Sequence, residues 1–311
     1  MNSPHLHLIL NHVPTVGTAI ALGLLLLSLL RRNQELTRVS LEVFYVVALI
    51  TLPAYLSGVA TALALEKMPD ISTEAIARHH DGALSGFIFM LFTGGASWIG
   101  LWQFRRVSRY SGLNVAIVLV LAVITLTFMG GAATMGGWIR HPEILVADAP
   151  TPTGSGGFIT AASVKALVSD YTWLWPSLEA LHFIGLWLLF GVVLLVNLRM
   201  LGMMKAASFS ALHRLLPWSV LGLGINLVSG MMWVIATPEQ YMSNVSFFWK
   251  MGFLMVAGFN LLYLTTFDDP WQVEAGDEAP FRTKAVAASA ILSWVFVMYF
   301  GRMLPFLGNA F

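Results

Sequence analysis

VPTVGTAIALGLLLLSLLRR, residues 13–32, runs from 13 to 30 without a charged side chain and then meets Arg31 and Arg32. A cleavable signal peptide carries its positive charge ahead of the apolar stretch, not behind it. The order here therefore predicts a retained transmembrane helix. Crossing the hydrocarbon core takes about 20 apolar residues, and seven more runs of that kind follow at 41–64, 81–104, 113–137, 174–198, 215–236, 246–267 and 285–306. No strand-like alternation competes with them.

Composition agrees with these runs. The 311 residues are 57% hydrophobic and 11% charged, with a mean hydropathy of +0.76, whereas soluble domains carry about 25% charged residues. The expected fold is an all-α, polytopic membrane protein of eight helices arranged as two four-helix bundles. The longest connection contains PTPTGSGG, residues 150–157, a turn-rich and flexible composition. It separates a histidine-rich domain over 1–145 from a second domain over 173–311, with 146–172 as an extramembrane linker. No repeat relates the halves at motif level.

The net charge of +1, with Lys and Arg scattered through short loops, argues against a nucleic-acid partner. The lipid bilayer is the expected surrounding. Eleven of the seventeen basic residues fall in the connections 1–2, 3–4, 5–6 and 7–8, so the positive-inside rule places both termini on the outer face, as in a bacterial inner-membrane protein. The chain has no cysteine, which removes disulfides, thiolate metal sites and iron–sulfur ligation. Any metal or haem must hang on His, carboxylate or Met.

Upstream of the first run, HLHLILNHVPTVG (5–17) places three histidines at the membrane entrance. His5, His7 and His12 precede helix 1, His79 and His80 open helix 3, and His141 closes helix 4. Helix parity puts all six at one membrane face. Neutral imidazole ligates iron, copper or zinc, with its second nitrogen oriented by a carbonyl or carboxylate; Asp81 and Glu143 are candidates for that orienting role. His12 and His80 lie at equal depth as haem b ligands require, with His141 the alternative to His80, and Arg78 and Arg140 can meet propionates. His7, His12, His80 and His141 form the corresponding set for a bare metal. The tracts GALSG, TGGAS and GGAATMGG leave room for a macrocycle or serve close helix packing, and interfacial histidines also cap helices.

HLHLILNHVP, PAYLSG, HHDG and GGWIRH together resemble motifs of a group of uncharacterised bacterial four-helix membrane proteins. The resemblance covers residues 5–145 and implies roles for His7, Asn11, His12, Pro14, Pro53, Tyr55, Gly58, His80, Asp81, Arg140, His141 and Glu143. It picks out His80 over His79, and Asp81 stands where such proteins usually carry Glu. In the second half, HFIG, NLRMLG and FFWK resemble another little-characterised four-helix set, with a weaker likeness to the copper-resistance D type of inner-membrane protein. The matching residues are His182, Gly185, Arg199, Gly202, Lys250 and Asn260, with Asn197 where an acid is usual.

Glu179 and His182 project from one face of helix 5, and Lys250 enters helix 7 from the same side. Ionisable groups at that depth are functional candidates, though three of them can also neutralise one another as a structural ion network. His213 is expected at the inner interface, and Asn226 and Asn260 as bridges between helices. Two functions follow. One is a redox protein with haem b near the outer face, exchanging electrons with a quinone or a periplasmic electron-transfer protein. The other is a non-redox metal-handling or transport protein with an outer copper, zinc or iron site. An accessory subunit with structural histidines is a third possibility.

Overall fold

The computed structural model describes residues 3–66, 68, 72–140 and 156–307, with the Arg140 side chain left out. His141 and Glu143 lie outside the described residues. Eight helical segments are long and apolar enough to cross a membrane, and no strand occurs among the described residues. The chain divides into two compact units, Met1–Val164 and Lys165–Phe311.

The N-terminal unit contains α1 (Ser3–Leu10), α2 (His12–Arg31), α3 (Gln34–Leu65), α4 (Thr73–Val107) and α5 (Gly112–Arg140). Helix α2 packs on α3, α3 on α4, α4 on α5 and α5 back on α2, which closes a ring of four; α1 lies against α3. The core is made by Leu41, Phe44, Leu52, Leu84, Phe87, Met90 and Trp98, all buried. The first glycine of TGGAS is used for packing: a Cβ on Gly94 would lie 2.3 Å from that of Ala48.

Helices extend beyond the apolar runs at their polar ends, because the backbone ladder needs no apolar side chain to propagate. Ser72 caps α4 by accepting from the Ala75 amide at 3.3 Å, so His79 and His80 sit in the second turn of the helix rather than opening it. His5 and His7 likewise belong to α1 instead of preceding the first helix, and His12 begins α2. The break at Asn11 coincides with Pro14, which has no N–H to return to the Leu10 carbonyl.

Helix α6 (Ala161–Asp170) carries the division between the units. The C-terminal unit continues with α7 (Leu174–Met200), α8 (Phe209–Leu212), α9 (Leu216–Ala236), α10 (Pro238–Met242), α11 (Val245–Thr266), α12 (Asp268–Trp271) and α13 (Phe281–Met303). Its main packings run in a row: α9 on α7, α7 on α13, α13 on α11. At the α7/α9 crossing Gly185 and Gly222 meet so closely that a Cβ on Gly185 would fall 2.8 Å from the Gly222 carbonyl oxygen.

The end of α7 is fastened by Arg199, which is fully buried. Its guanidinium donates to the Ala207 carbonyl, to Glu274 O at 2.7 Å and to Asp277 O at 3.2 Å, tying two connections to one helix end. Gly202 adopts φ +95°, and Met203 N bonds Leu198 O at 3.0 Å, the left-handed helix stop that glycine favours. Arg199 and Gly202 therefore have structural roles.

His213 is fully buried, with its ring 5.1 Å from Phe209 and 4.3 Å from Trp271. One expectation is corrected here. Asn226 turns back on its own helix to Gly222 O at 3.0 Å. Asn260 does bridge helices, donating to Ser289 Oγ at 3.2 Å.

Candidate functional site

Two helices of the N-terminal unit, α1 and α4, present imidazoles to one another. His7 on α1 lies over α3, its Nδ1 3.1 Å from the Ala54 carbonyl oxygen. His79 on α4 lies over α5, its Nδ1 2.8 Å from the Ala132 carbonyl oxygen. A carbonyl only accepts, so each Nδ1 carries the proton. In the neutral ring, each Nε2 is then a free lone pair.

The two rings are held alike in further detail. The residue four positions beyond each carbonyl is a glycine, Gly58 or Gly136, and a Cβ there would lie 2.9 Å from His7 Cε1 or 3.1 Å from His79 Cε1. Ala-x-x-x-Gly on α3 and again on α5 thus forms two equivalent seats, each with a carbonyl to orient the ring and a missing methyl to admit it. The rings are nearly perpendicular, at 77°, with centroids 6.4 Å apart. A carbonyl-oriented tautomer is the arrangement found behind metal-bound histidines.

His80, one residue on, points elsewhere. Its Nε2 is 3.0 Å from the Tyr55 hydroxyl, and the Tyr55 ring stacks against both His80, at 5.7 Å, and Phe87, at 4.6 Å. His12 is exposed, and its ring makes no hydrogen bond or ring contact with any described residue. The expected pairing of His12 with His80 is thereby replaced by His7 with His79. A helix turns by 100° per residue, so which of two adjacent histidines faces a partner depends on rotation that spacing alone does not give.

Asp81 is not behind an imidazole either. Its Oδ1 accepts from the Ala161 amide at 2.8 Å, which satisfies the open end of α6. Ser85 Oγ accepts from Phe158 N at 2.8 Å. Gly156 and Gly157 let this strap approach the carbonyls of Arg78 and Asp81, where any Cβ would clash. Arg78 pairs with Glu74 one turn earlier on its own helix. Arg140 ends α5.

Comparison with protein-family models, with curated proteins and with solved structures returned no match. Among the described residues, no three His, Asp or Glu side chains come together as a metal-binding group.

In the C-terminal unit the expected trio is spread out. His182 Nδ1 bonds Ser229 Oγ at 2.9 Å, and the hydroxyl passes its own proton to Ile225 O at 2.7 Å. The His182 ring leans on Trp233 at 5.3 Å. Glu179 is exposed; with burial as the larger cause, its carboxylate helps push the Tyr241 phenol up to about 12. Lys250 is half-buried on α11, its Nζ 3.5 Å from where a Cβ on Gly301 would stand. No ion pair joins Lys250 to Glu179 among the described residues, so the expected ion network is not formed.

The signal that sequence reasoning missed was His79 together with the doubled Ala-x-x-x-Gly, which stands in the text of the sequence at 54–58 and 132–136.

Proposed function

We propose that the chain is a multi-pass membrane redox protein whose N-terminal unit holds haem b, or another His-ligated metal, between His7 and His79. The observation that carries this is the pair of seats just described: two imidazoles from different helices, both with the proton on Nδ1 and a lone pair on Nε2. The ring centroids, 6.4 Å apart, are near enough for His7 and His79 to hold one such group jointly, each through its Nε2.

The protein's own residues would orient the ligands and hold their tautomers; a bound haem would supply one-electron chemistry. A quinone or a periplasmic electron-transfer protein is the partner such a centre requires. The bias of eleven basic residues against six toward one side supports the bacterial inner membrane with both termini outside. A second reading, metal handling without electron transfer, is supported by the same two Nε2 lone pairs, which copper, zinc or iron would also accept.

A dithionite-reduced minus oxidised spectrum of the detergent-purified protein, with elemental analysis of the same sample, tests this. One iron per chain and a sharp alpha band are the expected result. One copper without that band shifts the assignment to the second reading, and metal-free protein from metal-replete cells overturns both.

A further inference from the structure

At the end of the N-terminal unit opposite the histidines, α4 hands over to α5 beside a cavity of about 500 Å³, walled by Gln103, Val107, Arg109, Tyr110, Ser111 and Gly112. Two of these residues carry an unanswered polar atom: Gln103 Oε1 and the Tyr110 phenol oxygen are buried and have no hydrogen-bond partner among the described residues. The Tyr110 ring is held by stacking on Phe104, with centroids 4.6 Å apart. Asn114, 8% exposed, donates to the Ala96 carbonyl at 2.9 Å and keeps its own Oδ1 without a partner. That oxygen points at Gly100, where a Cβ would stand 2.4 Å away, and Gly100 lies one turn before Gln103 on the same face of α4. Buried polar groups are ordinarily matched, because leaving them unmatched is costly. Here three stand at one helix junction.

Charge narrows the ligand that would answer them. Arg38, Glu35, Glu42 and Arg105 all act electrostatically on the Tyr110 phenol, so the start of α3 and the end of α4 face the same place. Across 31–42 and 103–112, six arginines stand against two glutamates. Arg38 is paired with Glu42 at 2.9 Å, whereas Arg109 is exposed and pairs with no carboxylate among the described residues. Helix α5 begins at Gly112 in the cavity wall, and the amides of a first helical turn have no partner within their helix, which favours an anion. An anion of acceptor atoms alone would still leave Gln103 Oε1 unmatched, since a carbonyl oxygen only accepts. A hydroxyl on the same ligand supplies that proton and can accept the phenol's. Val107 and Leu113, 60% and 72% exposed, flank the junction with apolar surface, and basic pockets at the ends of membrane helices suit lipid headgroups.

We infer that this cavity binds a phosphate ester that also carries hydroxyl groups, with Arg109 on the phosphate and Gln103 and Tyr110 on the hydroxyls. A phosphatidylglycerol-type headgroup and a soluble polyol phosphate share that chemistry. The site stands whatever occupies His7 and His79. The test is native mass spectrometry of the full-length protein in detergent, titrated with dioctanoyl phosphatidylglycerol, with dioctanoyl phosphatidylcholine and with glycerol 1-phosphate. One phosphatidylglycerol per chain is expected to bind about tenfold more tightly than phosphatidylcholine, and Gln103→Met/Arg109→Gln is expected to lose that margin, about the worth of one charged hydrogen bond. A lipid preference that glycerol 1-phosphate does not compete away assigns the site to the headgroup; binding of glycerol 1-phosphate that the double variant loses assigns it to the soluble ester. Absence of both the lipid preference and glycerol 1-phosphate binding overturns the inference, as does binding that the double variant retains in full. If the double variant fails to fold, phosphatidylglycerol with a diazirine in its headgroup decides on the unsubstituted protein: cross-links within 103–114 are expected, and cross-links only elsewhere overturn the site.

Discussion

Both units use backbone carbonyls to hold a basic side chain, with opposite consequences. In the N-terminal unit one N–H of each imidazole is given to a helix carbonyl, and the other nitrogen is left with a lone pair. In the C-terminal unit the Arg199 guanidinium gives N–H groups to three loop carbonyls, and it has no lone pair to offer a ligand. A histidine held by a carbonyl stays a Lewis base, whereas an arginine held by carbonyls becomes a rivet. The packing matches this division. The N-terminal helices α2 to α5 close into a ring, and the C-terminal helices lie in a row fastened at one end.

The largest effect that sharpens this contrast is expected at Arg199. Arg199→Ala removes three charge-assisted bonds made by a fully buried side chain, and it should lower stability by about 3–5 kcal/mol, read from the denaturation midpoint in detergent. Arg199→Lys should recover little, because an ammonium cannot span the planar fork's three acceptors. A loss under about 1 kcal/mol would be that of an exposed pair and would end the description as a rivet.

A smaller effect belongs to the loop beside it. Glu278 accepts from Lys205 at 2.6 Å and from Lys284 at 2.9 Å, and these bonds, Lys205 first, hold its carboxyl down to about 2 from an ordinary 4.5. A folded value below the unfolded one gives stability that is present above pH 4.5 and is lost as the pH falls from about 4.5 toward 2. Because the carboxylate is exposed, the effect should be modest and weaken with salt. Melting temperatures across pH 2–6 should slope less in Glu278→Gln than in the unsubstituted protein, and equal slopes would remove Glu278 from the account.

The eight spans are legible in the sequence because burial in lipid demands long uncharged runs. Their ends are less so: α4 begins at Thr73, eight residues before the apolar run, since a serine cap and not hydropathy starts it. His7 was found through its motif. His79 was passed over for His80 because helix phase, not residue type, decides which ring meets His7. Asp81 read as a group behind an imidazole, yet it meets the amide of Ala161, 80 residues away in the chain, a contact that no local pattern announces.

The most direct test of the central claim is metal and haem content, measured per chain, in His7→Gln, His79→Gln, His12→Gln and His80→Gln purified side by side from metal-replete cells. The first two should each lose the bound centre, while the His12 and His80 variants keep it. Loss on changing His12 or His80, with content preserved when His7 and His79 are changed, would contradict the account.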